Sequence, residues 1–213
     1  MLFAGVAGAV DVLAFTALGR VFAGVMTGNL VLLGLALTRA GGDSGLSAPL
    51  LALAGYVVGA VVVGRFCRRL PGEPESRWPA AVVRWLAVET ALLAAVTVGW
   101  AVAGGAPGQP WRDVVLTVLA AAMGVQSAAL VGAGRAGGPG TYFTGTLTTL
   151  AVRAAGPDAG RPALGDVLRL IALTSGAAAA AGVRAASPAW AMAVPLFAAV
   201  AALVCVTAWG RRP

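Results

Sequence analysis

The stretch Met26-Thr27-Gly28-Asn29-Leu30 decides the fold, because a close copy, Phe143-Thr144-Gly145-Thr146-Leu147, follows it by 117 positions. Both copies lie within apolar sequence. Repetition at about half the chain length is typical of membrane proteins built from two copies of one unit. The sequence therefore predicts one membrane domain with an internal duplication, repeat 1 at residues 1–104 and repeat 2 at residues 105–213.

The composition is that of an integral membrane protein. Hydrophobic residues make up 59% of the 213 residues and charged residues 11%, with a mean hydropathy of +0.88. An ordinary soluble domain has about one quarter charged residues. The net charge of +7 is not accompanied by a basic run with interleaved aromatic residues, so we expect the lipid bilayer as partner and no nucleic acid.

Eight apolar segments follow one another along the chain, four in each half. They cover residues 2–18, 21–38, 47–66 and 80–103, and then residues 114–133, 141–152, 167–183 and 190–209. The glycine-rich break at residues 137–140 and Arg153 leave about 12 helical residues around the second motif, which is roughly 18 Å against a roughly 30 Å hydrocarbon core. By symmetry, the helix after the first motif is also a half-helix. Each repeat then has three spans and one re-entrant half-helix.

An odd number of spans in each repeat turns the second copy upside down. The predicted fold is therefore an all-α membrane protein with about six transmembrane helices in two inverted repeats. Spacing agrees with this, because Gly59 follows Gly28 by 31 positions and Gly176 follows Gly145 by the same number. Charge also agrees, since a cytoplasmic loop at residues 65–84 leaves most arginines of the second half on that side only with six spans.

Two inverted half-helices that meet at their starts would direct two partially positive N-termini at one point near the bilayer midplane. Such a site suits an anionic or strongly dipolar solute. The candidate substrate-binding residues are polar or small groups in the two motifs and in the helices before them, namely Asp11, Thr27, Gly28, Asn29, Gln126, Thr144, Gly145 and Thr146. The alternative is that the threonines only cap helices and the glycines only allow close packing.

Asp11 and Glu89 are the candidates for proton or ion coupling. A carboxylate near the middle of a membrane helix costs on the order of 2.5 to 3.5 kcal/mol, so it is normally paired, protonated or exposed to a pathway. For Asp11, the alternatives are a buried hydrogen bond to the motif backbone or a position nearer the interface. For Glu89, the nearness of Arg84 favours an interfacial position. Gln126, the counterpart of Asp11, is equally suited to bind substrate or to brace the helices.

These motifs resemble the YoaK family of bacterial membrane proteins, which is known as a domain of unknown function. The matching residues are Gly8 to Asp11, Phe22, Met26 to Asn29, Met123 to Gln126 and Thr144 to Leu147. The resemblance implies a multi-pass protein of the bacterial cytoplasmic (inner) membrane with about six spans and no assigned activity. The family often has Asn where this chain has Ser127, so ligand specificity would differ if that position contacts a ligand.

The sequence predicts a secondary transporter or channel for a small solute of unknown identity. The alternative is a non-transporting structural or accessory membrane protein. A hydrated central cavity lined by Asp11, Asn29, Gln126 and Thr144 would distinguish the two. We expect neither an enzyme nor a cofactor or metal, because the chain has no histidine and no nucleophile–base pair or metal-ligand cluster. The glycine-rich third segment leaves room for a homodimer.

Overall fold

A computed structural model describes residues 1–38, 45–66, 78–133, 143–155 and 164–209, and the regular structure in these ranges is helical. The helices are α1 (Leu2–Ala17), α2 (Met26–Leu37), α3 (Ser47–Phe66), α4 (Ala80–Val102), α5 (Trp111–Gly132), α6 (Phe143–Ala155), α7 (Leu164–Ala186) and α8 (Ala193–Trp209). A 3-10 turn, Pro188–Trp190, precedes α8. The predicted order of eight helical segments is confirmed.

The helices fall into two length classes. By length and composition, α3, α4, α5, α7 and the segment Pro188–Ala208 can each cross a membrane. Helix α1 is apolar but has 16 residues, while α2 and α6 have 12 and 13. The chain is therefore a multi-pass membrane protein. Helix α2 is shorter than the apolar segment 21–38, because residues 21–25 approach it in a non-helical conformation.

Helices α3 and α5 pack closely and run parallel. Added methyl groups on Gly55 and Gly59 would collide with the carbonyl groups of Thr117 and Ala121, respectively. A step of four residues along α3 thus corresponds to a step of four residues along α5 in the same direction, so the two helices are parallel. The absence of side chains at Gly55 and Gly59 allows the two backbones to approach each other.

Helices α1 and α7 form a second parallel pair. Gly8 lies against the backbone of Leu173, and further along both helices the carbonyl of Thr16 accepts a hydrogen bond from Nη2 of Arg184 at 3.3 Å. Because the contacts advance in the same direction along both helices, the axes of α1 and α7 are parallel.

Helix α4 runs antiparallel to both α5 and α8. Leu86, near its start, packs in one cluster with Val125 from the second half of α5, whereas Gly99, near its end, lies against the ring of Trp111 at the start of α5. On the other side, Oγ1 of Thr97 donates to the carbonyl of Met192 at 3.1 Å, and Leu203 packs at the end of α4 where Leu86 lies.

The core lies between α1, α4, α5 and α8. Among the described residues, Asn29 is the one buried residue of α2, Ala180 the one of α7, and α6 has none. By contrast, α1, α4 and α5 bury many side chains. The polar residues with functional potential are therefore those of the central helices.

Candidate functional site

The segment between α1 and α2 turns back along α1. Gly19 and Arg20 both adopt left-handed backbone conformations, with φ of 108° and 59°, and they reverse the chain after the end of α1. The ring of Phe22 then stacks on that of Phe15, with ring centroids 5.2 Å apart. Because Phe15 lies before the end of α1, the segment runs back alongside α1.

Asp11 binds the part of this returning segment that lies just before α2. Its Oδ1 accepts hydrogen bonds from the backbone N–H groups of Ala23 at 2.9 Å and Gly24 at 2.7 Å. Asp11 precedes Leu18, the C-cap of α1, by seven residues, which is roughly 10 Å along the helix axis. The chain therefore returns about that far before α2 begins at Met26.

Asn29 holds the same segment from the other side. Its Oδ1 accepts from the N–H of Phe22 at 2.9 Å, and its Nδ2 donates to the carbonyl of Phe22 at 2.6 Å. The side chain is fully buried. Both backbone groups of Phe22, which lies outside regular structure, are thus satisfied.

The carboxyl group of Asp11 occupies the place where an anion would bind. It contacts the N–H groups just before α2, next to the partially positive start of that helix. An added methyl on Gly24 would lie 3.3 Å from Oδ2 of Asp11, so the fit is close. In this conformation the protein's own carboxyl group fills the position before the start of α2. The sequence alternative for Asp11 was a buried hydrogen bond to the motif backbone, and the bonds observed are to Ala23 and Gly24, just before the motif.

The remaining residues of the first motif have simpler surroundings. Thr27 is exposed, and the N-cap of α2 is Val25, without a side-chain hydrogen bond. The interpretation of Thr27 as a helix cap is therefore wrong. Gly28 faces the ring of Phe22, which an added methyl would approach to 2.9 Å, so close packing explains this glycine.

The second motif lies apart from the first. Thr144 and Gly145 are exposed and Thr146 is half-buried. Helix α6 packs against α7, whereas α2 packs against α3. In the described residues the two half-helices do not form a packed pair, and the predicted meeting of their N-termini stays a prediction. The chain that leads into α6, residues 134–142, lies outside the described ranges.

Glu89 is buried inside the helix bundle. It is 0% exposed, and within the described ranges neither of its carboxyl oxygens has a hydrogen-bond partner. Arg84, in contrast, is exposed and faces a surface cavity. Arg84 and Glu89 are five positions apart, which places the two side chains on different faces of α4. The interfacial position expected for Glu89 stays a prediction.

Gln126 lies on α5, the helix on which α4 packs, and it is 1% exposed. Nε2 of Gln126 donates to a backbone carbonyl of α1 at 3.3 Å, and its Oε1 has no partner in the part of the chain that the structure describes.

Sequence reasoning missed the backbone donors of Ala23 and Gly24, because a backbone N–H has no side-chain signature. It also missed the carbonyl of Phe3, which accepts from Gln126. In the described ranges, no group of three or more Cys, Asp or Glu side chains could hold a metal ion.

Comparison with known proteins identifies the family of this chain. A family model described as a protein of unknown function, DUF1275, matches residues 1–206. The UPF0700 transmembrane protein YoaK of Bacillus subtilis (strain 168) is 33% identical over 145 residues, which is 68% of this chain and 60% of that protein. The match thus spans less than two thirds of the length of the Bacillus subtilis protein. No solved structure matches the chain. The protein is similar to a bacterial transmembrane protein over most of its length, and it belongs to the DUF1275 family.

Proposed function

We propose that the chain is a secondary transporter for a small solute, with six spans in two inverted repeats and a proton or cation taken up at Glu89. Helix directions support this architecture. Because α4 is antiparallel to α5 and to α8, those two helices run the same way. Helix α8 packs back on α7 after a short turn, so α7 runs opposite to α5. Since α7 runs opposite to α5, it starts on the side of the membrane where α5 ends, and α6 between them does not cross the membrane.

The same argument applies to α2 in the first half. Helix α1 is parallel to α7 and therefore antiparallel to α5, while α3 is parallel to α5. Helices α1 and α3 thus run in opposite directions, and α2 between them adds no crossing. The returning segment held by Asp11 gives α2 the entry that a re-entrant half-helix needs.

In each proposed repeat, a glycine of the first helix contacts a helix of the other repeat. Gly8 of α1 lies on α7 at Leu173, and Gly124 of α5 lies on α3 at Tyr56. The glycines are 116 positions apart and their partners 117, close to the 117 positions between the motifs. Each first helix therefore packs on the third element of the other repeat, as expected for an inverted pair.

The carboxyl group of Glu89 is the observation that carries the transport proposal. Removing an ionised carboxylate from water without a partner costs several kcal/mol. The helices packed on α4 offer no counter-charge at this depth, because α8 has no charged residue and those of α5, Arg112 and Asp113, lie in its first turn. We infer that the closed state forms after Glu89 has bound a proton or a cation.

Release of that ion on the other side requires the packing around α4 to open. Gln126 suits a role in this step, because its Oε1, which has no partner within the described ranges, can accept a hydrogen bond from the solute. The side chains of Glu89 and Gln126 are both shielded from water in this structure. Alternation between a closed state and states open to either side is the behaviour of a carrier.

The non-transporting, accessory role is the second candidate. Asp11, Gly28 and Asn29 have internal partners that account for them structurally. On this alternative, Glu89 is a neutral buried group that has no role in coupling.

Solute flux into proteoliposomes tests the proposal. Small anions, amino acids and nucleobases are screened on a solid-supported membrane and by tracer uptake, with and without a pH gradient. We expect Glu89→Gln to abolish accumulation driven by the gradient and to leave solute exchange in place. The matched control is Asp113→Asn, which removes a carboxylate at the start of α5 and should keep both activities.

Two results would contradict parts of this proposal. Accumulation by Glu89→Gln equal to that of the wild type would exclude Glu89 as the coupling group. Absence of flux for every solute, from protein shown to be folded, would favour the accessory role.

A further inference from the structure

A cavity of about 340 Å³ lies at one end of the bundle, between the end of α1, the second half of α2 and the start of α3. Its wall is mostly apolar and includes Phe15, Val21, Leu32, Leu35 and Pro49. Small-molecule sites are commonly apolar cavities of about this size with a few polar groups that fix orientation. The cavity lies directly above the returning segment, since Val21 belongs to both.

Two guanidinium groups and one hydroxyl group supply its polarity, from Arg20, Arg112 and Ser47. Within the described ranges, neither arginine has an ion-pair partner, and Nε of Arg112 is buried without a hydrogen-bond acceptor. None of the described residues that line the cavity is acidic. The charged side chains among them are therefore both cationic.

Arg20 is held at the cavity by an uncommon backbone conformation. Its φ of 59° is rarely adopted by residues other than glycine. Backbone conformations of this kind cluster at ligand sites, where the surrounding structure maintains them. Here the left-handed turn of Gly19 and Arg20 reverses the chain and brings the arginine to the cavity lining.

We propose that this cavity binds the carboxylate or phosphate group of a small organic anion through Arg20 and Arg112, with the organic part against the apolar wall. Guanidinium groups pair with such anions through two parallel hydrogen bonds. The proposal rests on the proposed transport function and gives the class of its solute. Uptake of one proton at Glu89 with one monovalent anion would move no net charge. The same anionic chemistry is present in a free solute and in a lipid headgroup.

Binding of benzoate, hexanoate and phenyl phosphate to the full chain in nanodiscs tests the site. The first arm uses phosphatidylcholine alone and measures affinity by calorimetry. We expect at least one probe to bind, and we expect Arg20→Gln and Arg112→Gln each to weaken it by roughly tenfold to a hundredfold, the effect of losing a hydrogen bond to a charged group. Arg112→Lys, which keeps the charge without the paired donors, should fall in between.

The matched control is Arg84→Gln. Arg84 lines a second cavity, of about 400 Å³, with Phe66 and Trp85, and its substitution changes the net charge equally. Benzoate affinity should be unchanged. If Arg84→Gln weakens binding as much as Arg112→Gln, the effect is one of overall charge and the site is refuted.

The second arm separates the two sources of the anion. Nanodiscs with phosphatidylglycerol are analysed by native mass spectrometry for retained lipid. Retention that requires Arg20 and Arg112, with no binding of the three probes, supports the anion site and refutes a free solute there. No probe binding and no arginine-dependent lipid retention refutes the site altogether. Neither arm measures flux. The anion site can therefore be refuted while proton-coupled transport is observed, and transport can be refuted while the anion site is observed.

Discussion

Replacement of Asp11 tests the anchor of the returning segment. Its Oδ1 accepts from two amides, at 2.9 and 2.7 Å, in a buried position. In Asp11→Ala both N–H groups lose their acceptor, at about 1–3 kcal/mol each, so we expect a loss of about 2–6 kcal/mol. Asp11→Asn keeps an acceptor and loses only the charge assistance, which is about 1 kcal/mol per bond or about 2 kcal/mol in all.

Hydrogen exchange of the backbone amides measures this loss where it occurs. A loss of about 2 kcal/mol accelerates exchange through local opening about thirtyfold. We therefore expect the peptide that covers residues 21–25 to exchange about thirtyfold faster in Asp11→Asn, and faster still in Asp11→Ala. Peptides from α3 and α5 should be unchanged in Asp11→Asn.

The matched control is Thr16→Ala on the same helix. Thr16 is exposed, and its hydroxyl donates to the carbonyl of Val12 within α1, so its loss should leave residues 21–25 protected. If Asp11→Ala leaves exchange at residues 21–25 as slow as in the wild type, Asp11 does not anchor this segment. The geometric argument for a re-entrant half-helix would then lose its main support.

Two further substitutions test the helix packing and the first motif. Gly8→Ala places a methyl group against the carbonyl of Leu173 and should destabilise the protein by about 1–3 kcal/mol, seen as a lower melting temperature in detergent; Gly34→Ala, with no atom within 4 Å of the added methyl, should not, and equal melting temperatures would contradict the close α1–α7 contact. Asn29→Ala removes both hydrogen bonds to Phe22 and should cost about 2 kcal/mol, so hydrogen exchange of the peptide that covers residues 21–25 should accelerate about thirtyfold, whereas unchanged exchange would contradict that role.

Hydropathy was sufficient to predict most of the helices. The segments that became α3, α4, α5 and α7 were found within a few residues, because a run of about 20 apolar residues is a strong pattern. The break at residues 137–140 predicted the short α6. Helix α2 needed the repeat as well, since the segment 21–38 is continuous in hydropathy and only symmetry indicated a half-helix.

The environments of the two carboxyl groups could not be predicted in the same way. The donors to Asp11 are backbone groups 12 and 13 positions away, and their position depends on the reversal at Gly19. For Glu89 the difficulty is the uniform apolarity of α4. A helix that is apolar on all faces has no hydrophobic stripe to indicate which side is buried, so the burial of Glu89 against other helices could not be predicted.

The sequence made Asp11 the stronger candidate for coupling and Glu89 the second, and their contacts favour the opposite order. A carboxyl group that binds two backbone amides loses those bonds if it must release a proton or ion in each cycle, and the returning segment would lose its anchor each time. A carboxyl group without partners has no such structural cost. We therefore expect coupling to survive Asp11→Asn and to be lost in Glu89→Gln, with exchange at residues 21–25 accelerated only by the first. The reverse pattern would assign coupling to Asp11 and make the returning segment itself the moving part.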